Sequence, residues 1–213
     1  MATSQAVFGG TKILLSQNES VDFSRAHLLL ITGGARSGKS KLAERLAQSS
    51  GLAVFYLATM GNSGSDRELN LRIKRHVERR PENWRTVEEP LMVAQAIANL
   101  PAVPSGRGLC LLDCLSLYVS NLLLSIPSGL ESEEVLRSLE ENIIAQVEEV
   151  LDAMAARRDY SFIVVTNEVG QAIVPDNLLS RLYRDLLGLA NQLTAARADD
   201  VRVCFAGLDL KLK

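Results

Sequence analysis

Residues 28–45 read LLLITGGARSGKSKLAER, an apolar run, a glycine-rich turn and an amphipathic stretch in that order. The centre, Gly33-Gly34-Ala35-Arg36-Ser37-Gly38-Lys39-Ser40, matches G-x-x-x-x-G-K-[ST]. Gly33 and Gly38 permit the backbone angles that turn successive N–H groups inward around a phosphate. Lys39 brings an ammonium to the β- and γ-phosphates, and Ser40 offers a hydroxyl to magnesium. The helix that begins there points its positive end at the anion. A strand before the loop and a helix after it, with Leu42, Ala43 and Leu46 on one face, supply the context that a chance match would lack. The stretch predicts a nucleoside triphosphate held by its phosphates. It leaves open what is done with it.

Outward from this loop, short apolar runs alternate with helical patterns. The runs are Leu28–Thr32, Val54–Ala58, Leu109–Leu112, Phe162–Thr166 and Val201–Ala206, as expected of strands buried on both faces of a parallel sheet. Helix spacing covers Lys39–Gln48, Asp66–Arg79, Leu91–Leu100, Leu115–Ser125, Ser132–Arg157 and Asn177–Arg197. In the fifth, Val135, Leu139, Ile143, Val147, Val150 and Met154 form one stripe. Such alternation predicts an α/β fold, a P-loop NTPase with a RecA-like, mostly parallel sheet and helices on both faces. Loops are expected at Gly61–Ser65, Pro101–Gly108 and Ile126–Glu131. Residues 27–213 read as one domain. Residues 1–26 form an extension of unassigned role, either an extra strand at Lys12–Leu15 or an arm.

Composition narrows the function classes. The 213 residues carry 47% apolar side chains and a net charge of −2, so no basic field draws the chain to nucleic acid. No apolar run approaches the ~20 residues that span a bilayer. The first residues lack a basic start followed by an apolar core, so no secretory signal is expected. Cys110, Cys114 and Cys204 are odd in number and form no CxxC pair; they read as buried small hydrophobes in a reducing compartment, and the cytoplasm is the expected location.

A phosphate site of this kind needs a second acid for the metal. Gly108-Leu109-Cys110-Leu111-Leu112-Asp113 is an apolar strand ending in a carboxylate, the required arrangement; an aspartate that simply caps the next helix is the competing reading. Glu168 follows a second apolar strand; it either lines the ligand crevice at the strand ends or braces a loop. Of the two histidines, His27 reads as a solvated edge residue. His76 lies three residues after Ile73 and seven after Leu69, on the inward face of a helix that Ser65 and Glu68 start and Pro81 stops. From spacing alone a core histidine and a nucleophile both stand open. Arg72, Arg75, Arg79 and Arg80 could grip phosphate oxygens and favour a neutral imidazole, or line a solvated face.

At this point the chain resembles the bifunctional adenosylcobinamide kinase/adenosylcobinamide-phosphate guanylyltransferase family of cobalamin biosynthesis, over almost all of residues 28–213. The likeness runs through Ile31 to Ser40, Tyr56-Leu57-Ala58-Thr59, Arg72-Ile73 with His76, Arg80-Pro81 and Trp84-Arg85-Thr86. It continues through Asp113-Cys114-Leu115-Ser116, Asn121-Leu122-Leu123, Val165 to Gly170, Ile173-Val174-Pro175, Arg184-Asp185, Asn191-Gln192 and the C-terminal residues. The resemblance implies phosphorylation of adenosylcobinamide, then transfer of GMP from GTP to adenosylcobinamide phosphate through a GMP–histidine intermediate on His76. On the residues themselves, Lys39 is expected as a second catalytic group that stabilises the departing pyrophosphate, with magnesium on Ser40 and Asp113. GTP and ATP are the implied nucleotide substrates. The implied contacts are Gly33, Gly34, Ala35, Arg36, Ser37, Gly38, Lys39, Ser40, Ala58, Thr59, Met60, Val77, Glu78, Arg79, Arg80, Glu88 and Asp113. The resemblance also points to a homotrimer. Three features depart from the family: the long extension, Ala172 in place of a frequent glycine, and Asp209 at an often apolar or proline position. The competing readings are a monofunctional small-molecule kinase and a RecA-like nucleotide-dependent switch.

Overall fold

The computed structural model describes residues 7–8, 11–12, 21–60, 80–104, 106–125 and 132–213. Near the N-terminus, β1 (Val7–Phe8) and β2 (Thr11–Lys12) pair antiparallel. Residues 13–15 of the expected strand lie outside the described residues, as do the expected loops 61–65 and 126–131 and the expected helix over 66–79.

From residue 28 the alternation expected from the sequence is present. In chain order the elements are β3 (Leu28–Gly33), α1 (Lys39–Ser49), β4 (Ala53–Ala58), β5 (Arg85–Glu88), α2 (Val93–Ala98), β6 (Gly108–Asp113) and α3 (Leu115–Leu124). There follow α4 (Glu133–Ala156), β7 (Tyr160–Val165), α5 (Leu178–Arg197), β8 (Asp200–Phe205) and β9 (Leu208–Lys211). The last seven strands make one sheet in the order β5-β4-β6-β7-β3-β8-β9, parallel except for β9, which returns antiparallel on β8.

Period-two alternation assigns each strand residue to a face. Leu29 and Ile31, Val54 and Tyr56, Leu109 and Leu111, Ile163 and Val165 pack on the side of α1, against Leu42, Ala43 and Leu46. Leu30, Phe55, Leu57, Cys110, Leu112, Phe162 and Val164 join the other core, with α2, α3, α4 and α5. The stripe on α4 is buried there from Leu139 to Met154, whereas Val135 stands exposed in the first turn. That turn is held by Ser132, whose hydroxyl accepts the N–H of Val135, with Glu133 and Glu134 at the positive helix end.

Two strands of the seven-stranded sheet, β5 and β9, are not expected from the sequence. Both are sheet edges, and neither carries a run of buried apolar residues: all four residues of β5 are exposed, and β9 has the burial pattern of an outer hairpin strand. Their backbone pairing, not their composition, makes them strands. His27 also differs from expectation. Its side chain is only 11% exposed. It meets the edge of Phe23 at 5.8 Å, because the segment before β3 folds over the end of the sheet. Burial lowers its pKa. The three cysteines are free and buried, as expected.

Candidate functional site

The loop Gly33–Ser40 crosses the C-terminal edge of the sheet. Gly33 has φ +146°, and a Cβ there would strike the carbonyl oxygen of Cys204. Gly38 has φ +103° as the residue that starts α1, and a Cβ there would stand 3.1 Å from Cα of Gly207. Both positions therefore require glycine, for conformation and for room. The β8–β9 turn braces the loop, with the N–H of Gly207 donating to the carbonyl of Ser37 at 2.9 Å. Arg36, between them, takes the left-handed conformation at φ +58°. No side chain caps α1, so its first N–H groups face the loop as anion donors.

Lys39 is 7% exposed, and its Nζ donates to the carbonyl of Gly34 at 2.8 Å. Burial lowers its pKa, and the nearby Asp113 carboxylate opposes that shift. The hydroxyl of Ser37 is buried beside it and has no partner among the described residues. Ser40 is half-buried in the first turn of α1. Loop N–H groups and a buried ammonium thus stand together, an arrangement whose charge and donors suit an anion.

Strand pairing aligns three further residues of the predicted site, Asp113, Ala58 and Glu88. Ile31 is level with Val165, Val165 with Asp113, Asp113 with Ala58, and Ala58 with Glu88. The P-loop, the strand-end acid, Ala58 and Glu88 thus share one edge of the sheet. Asp113 accepts a hydrogen bond from the Tyr56 hydroxyl at 2.7 Å through Oδ2, and Oδ1 has no partner among the described residues. Burial, then the Asp113 charge, hold the Tyr56 hydroxyl well above its ordinary pKa, so it remains a donor. Trp84 stacks on Tyr56 at 6.4 Å, and the guanidinium of Arg80 lies over the Tyr56 ring at 3.5 Å. Arg80 also donates to the Thr86 hydroxyl at 3.2 Å.

Thr59 is fully buried and clasps the peptide after the acid. Its hydroxyl donates to the Cys114 carbonyl at 2.7 Å and accepts the Cys114 N–H at 3.0 Å. Asn121 then donates to the Thr59 carbonyl at 2.7 Å and to Pro90 at 3.0 Å. Met60 is half-buried and Glu88 exposed at the same edge. His76, Val77, Glu78 and Arg79 lie outside the described residues. The role of Tyr56 was missed from sequence; the signal was its place two residues before Ala58, which means little until the β4–β6 register is known.

A hydroxyl at Ser40 and a carboxylate at Asp113 are hard oxygen donors. They fit magnesium, which is usually bound by one or two carboxylates completed by phosphate oxygens and water. On the far flank of the loop a cleft of about 540 Å³ opens between Gly33–Ser37, the segment Glu168–Ala172 and the end of β8.

The profile of the CobU family, described as cobinamide kinase / cobinamide phosphate guanyltransferase, matches residues 29–212. The chain is 44% identical over 186 residues to the bifunctional adenosylcobalamin biosynthesis protein CobP of Pseudomonas aeruginosa, covering 86% of this chain and 96% of that one. It is 37% identical over 187 residues to the bifunctional adenosylcobalamin biosynthesis protein CobU of Escherichia coli, covering 87% and 99%. Among solved structures, PH0250 from Pyrococcus horikoshii OT3 matches with a TM-score of 0.50 at 9% identity, over 90% of this chain and 88% of that one. The RadB recombinase matches with a TM-score of 0.44 at 17% identity, over 83% and 73%.

Proposed function

Because this chain belongs to the cobinamide kinase/cobinamide phosphate guanyltransferase family, we propose that one P-loop site serves both reactions of that name. In the first, the hydroxyl of adenosylcobinamide takes the γ-phosphoryl group of ATP or GTP. In the second, a ring nitrogen of His76 attacks the α-phosphorus of GTP; the N–P bond forms and pyrophosphate leaves. A phosphate oxygen of adenosylcobinamide phosphate then attacks the same phosphorus, the N–P bond breaks, and adenosylcobinamide-GDP results. A covalent adduct divides one difficult transfer into two easier ones.

The observation that carries this reading is the shared sheet edge. Lys39 and Asp113 sit close enough for the carboxylate to act on the ammonium, and both lie beside the N-terminus of α1. Lys39 and the loop N–H groups would hold what becomes pyrophosphate. Magnesium on Ser40 and Asp113 would neutralise charge on the phosphates. Arg79, Arg80, Val77 and Glu78 after the histidine, with Ala58, Thr59, Met60 and Glu88, are the proposed guanine-nucleotide contacts. Thr59 would contribute there by shaping the site from behind, since it is fully buried with its hydroxyl on the Cys114 peptide and its carbonyl on Asn121.

Residues 27–213 act as one domain in this reading, with 1–26 an extension outside the catalysis. The net charge of −2 speaks against a nucleic-acid partner. No helix among the described residues is long and apolar enough to cross a membrane. The proposed setting is the cytoplasm, and the proposed assembly a homotrimer.

Incubation with α-labelled GTP tests the transferase half. The expected result is acid-labile, alkali-stable label on the protein, lost in His76→Ala. Unlabelled wild-type protein, or undiminished labelling of the variant, would reject the GMP–histidine step.

A further inference from the structure

The segment that leaves β7 rises between the P-loop strand and the acid strand, because β7 lies between β3 and β6 in the sheet. Glu168 sits on that segment. Its N–H donates to the carbonyl of Gly33 at 3.0 Å, which fixes its backbone beside the first residue of the phosphate loop. Its Oε1 accepts the N–H of Gly170 at 2.7 Å, and Oε2 has no partner among the described residues. The two preceding residues are tied down from below. Thr166 donates to Asn191 at 2.7 Å, Asn167 donates to the Ser116 hydroxyl at 3.0 Å, and Asn191 donates to the Asn167 carbonyl at 3.0 Å. The carboxylate is therefore presented from a platform built on α3 and α5.

Glu168 and the P-loop wall the same cleft of about 540 Å³. That volume suits a small-molecule group rather than a whole macrocyclic cofactor precursor. Beside Arg36 and Gln171, exposed apolar side chains stand on the two segments that form the outer walls: Ile173 is 93%, Val174 59% and Phe205 58% exposed. A cleft of that size beside a phosphate loop, with a carboxylate oxygen unpartnered among the described residues and apolar side chains on its rim, matches a bulky amphipathic alcohol that inserts one hydroxyl-bearing arm.

We propose that this cleft receives the alcohol arm of the kinase acceptor and that Glu168 is the general base of the phosphoryl transfer. This rests on the kinase half of the reading above. As the acceptor oxygen attacks the γ-phosphorus, its proton passes to Oε2 of Glu168. The new O–P bond forms, the bond from the γ-phosphorus to the β,γ-bridging oxygen breaks, and the nucleoside diphosphate leaves. Glu168 then releases the proton to solvent. The other ionisable groups at the cleft are Arg36 on its wall, Lys39 behind the loop, and the Cys204 thiol, which burial pushes up to about 11 and so keeps neutral.

The test compares wild type, Glu168→Gln and Glu168→Ala in the phosphorylation of adenosylcobinamide by γ-labelled triphosphate across acid to mildly alkaline pH. Glutamine retains an oxygen for the Gly170 N–H but cannot take the proton. The expected result for Glu168→Gln is a fall in kcat of about 100-fold or more. Its donor KM stays within about twofold, its melting temperature is unchanged, and the acid limb of the wild-type kcat/KM profile disappears. Near-wild-type turnover by Glu168→Gln, with or without impairment of Glu168→Ala, would make Glu168 a loop brace and overturn the assignment, as would an acid limb that persists in Glu168→Gln. A wild-type protein that forms the GMP adduct yet phosphorylates no adenosylcobinamide overturns the kinase reading, and the base with it.

Discussion

The hydroxyl of Tyr56 donates to Oδ2 of Asp113 across 2.7 Å, linking residues 57 apart in the chain on neighbouring strands β4 and β6. The bond leaves the other carboxylate oxygen for a ligand, and the stack of Trp84 and Arg80 on the Tyr56 ring fixes the donor. Tyr56→Phe keeps the ring and removes only the bond. The expected cost is about 1.5 kcal/mol, the low end for a hydrogen bond to a charged group. That lowers the melting temperature by roughly 3–6 °C. Groups that orient a metal ligand typically matter about 10-fold in metal affinity. Calorimetric titration of magnesium into the nucleotide complex checks this. An unchanged affinity would mean that Asp113 needs no orientation.

Lys39 is charged, nearly buried, and satisfied in the free protein by one backbone carbonyl. Its folded pKa is lowered below the unfolded value, chiefly by burial. The sign follows: below the folded pKa the ammonium is charged in both states, and the full burial penalty acts there. It is relieved as pH rises through the lowered pKa toward the unfolded value. Lys39→Met is thus expected to leave the free protein as stable or more stable, by about 1 kcal/mol, while nucleotide binding falls at least about 10-fold. Thermal melts with and without nucleotide measure both effects. A clear loss of stability in the free variant would contradict the burial argument.

Asp209 on β9 faces two arginines, one of them buried. Arg202 is 4% exposed, and its Nη1 meets Asp209 at 3.1 Å while its Nε reaches Asp200 at 3.4 Å. Asp209 also lies 3.8 Å from Arg45 of α1. Asp209→Ala strips one partner from a buried guanidinium, at an expected cost of about 3 kcal/mol, with Asp209→Asn losing less. Urea denaturation of the three proteins gives the order directly.

The three thiols are buried, and burial pushes Cys110 up to about 12 and both Cys114 and Cys204 up to about 11. For Cys114 the Asp113 charge adds to the shift. Since the thiolate is the reactive form, Ellman's reagent should find no fast-reacting thiol in native protein and three after denaturation. Rapid labelling of native protein at any of the three would show that its site opens.

The parts legible in the sequence are those whose reason is local. The loop from Gly33 to Ser40 announces itself because every group that holds a phosphate lies within eight consecutive positions. The buried strands announce themselves because both faces are covered, leaving continuous apolar runs. The acid Asp113 was legible for the same reason, as the first polar residue after such a run. Edge strands gave no such signal: Arg85–Glu88 is polar and wholly exposed, and only its ladder with β4 makes it part of the sheet.

Sequence alone thus specified the α/β alternation, the glycine loop and the strand-end place of Asp113, since hydrophobic period and glycine conformation are properties of neighbours in the chain. Folding in three dimensions decided what stands beside what. It set β7 between the loop strand and the acid strand, brought Tyr56 to Asp113, closed the Thr59 hydroxyl on the Cys114 peptide, and placed Glu168 against Gly33. Those relations depend on strand order and register, which arise from contacts between residues far apart and leave no local trace.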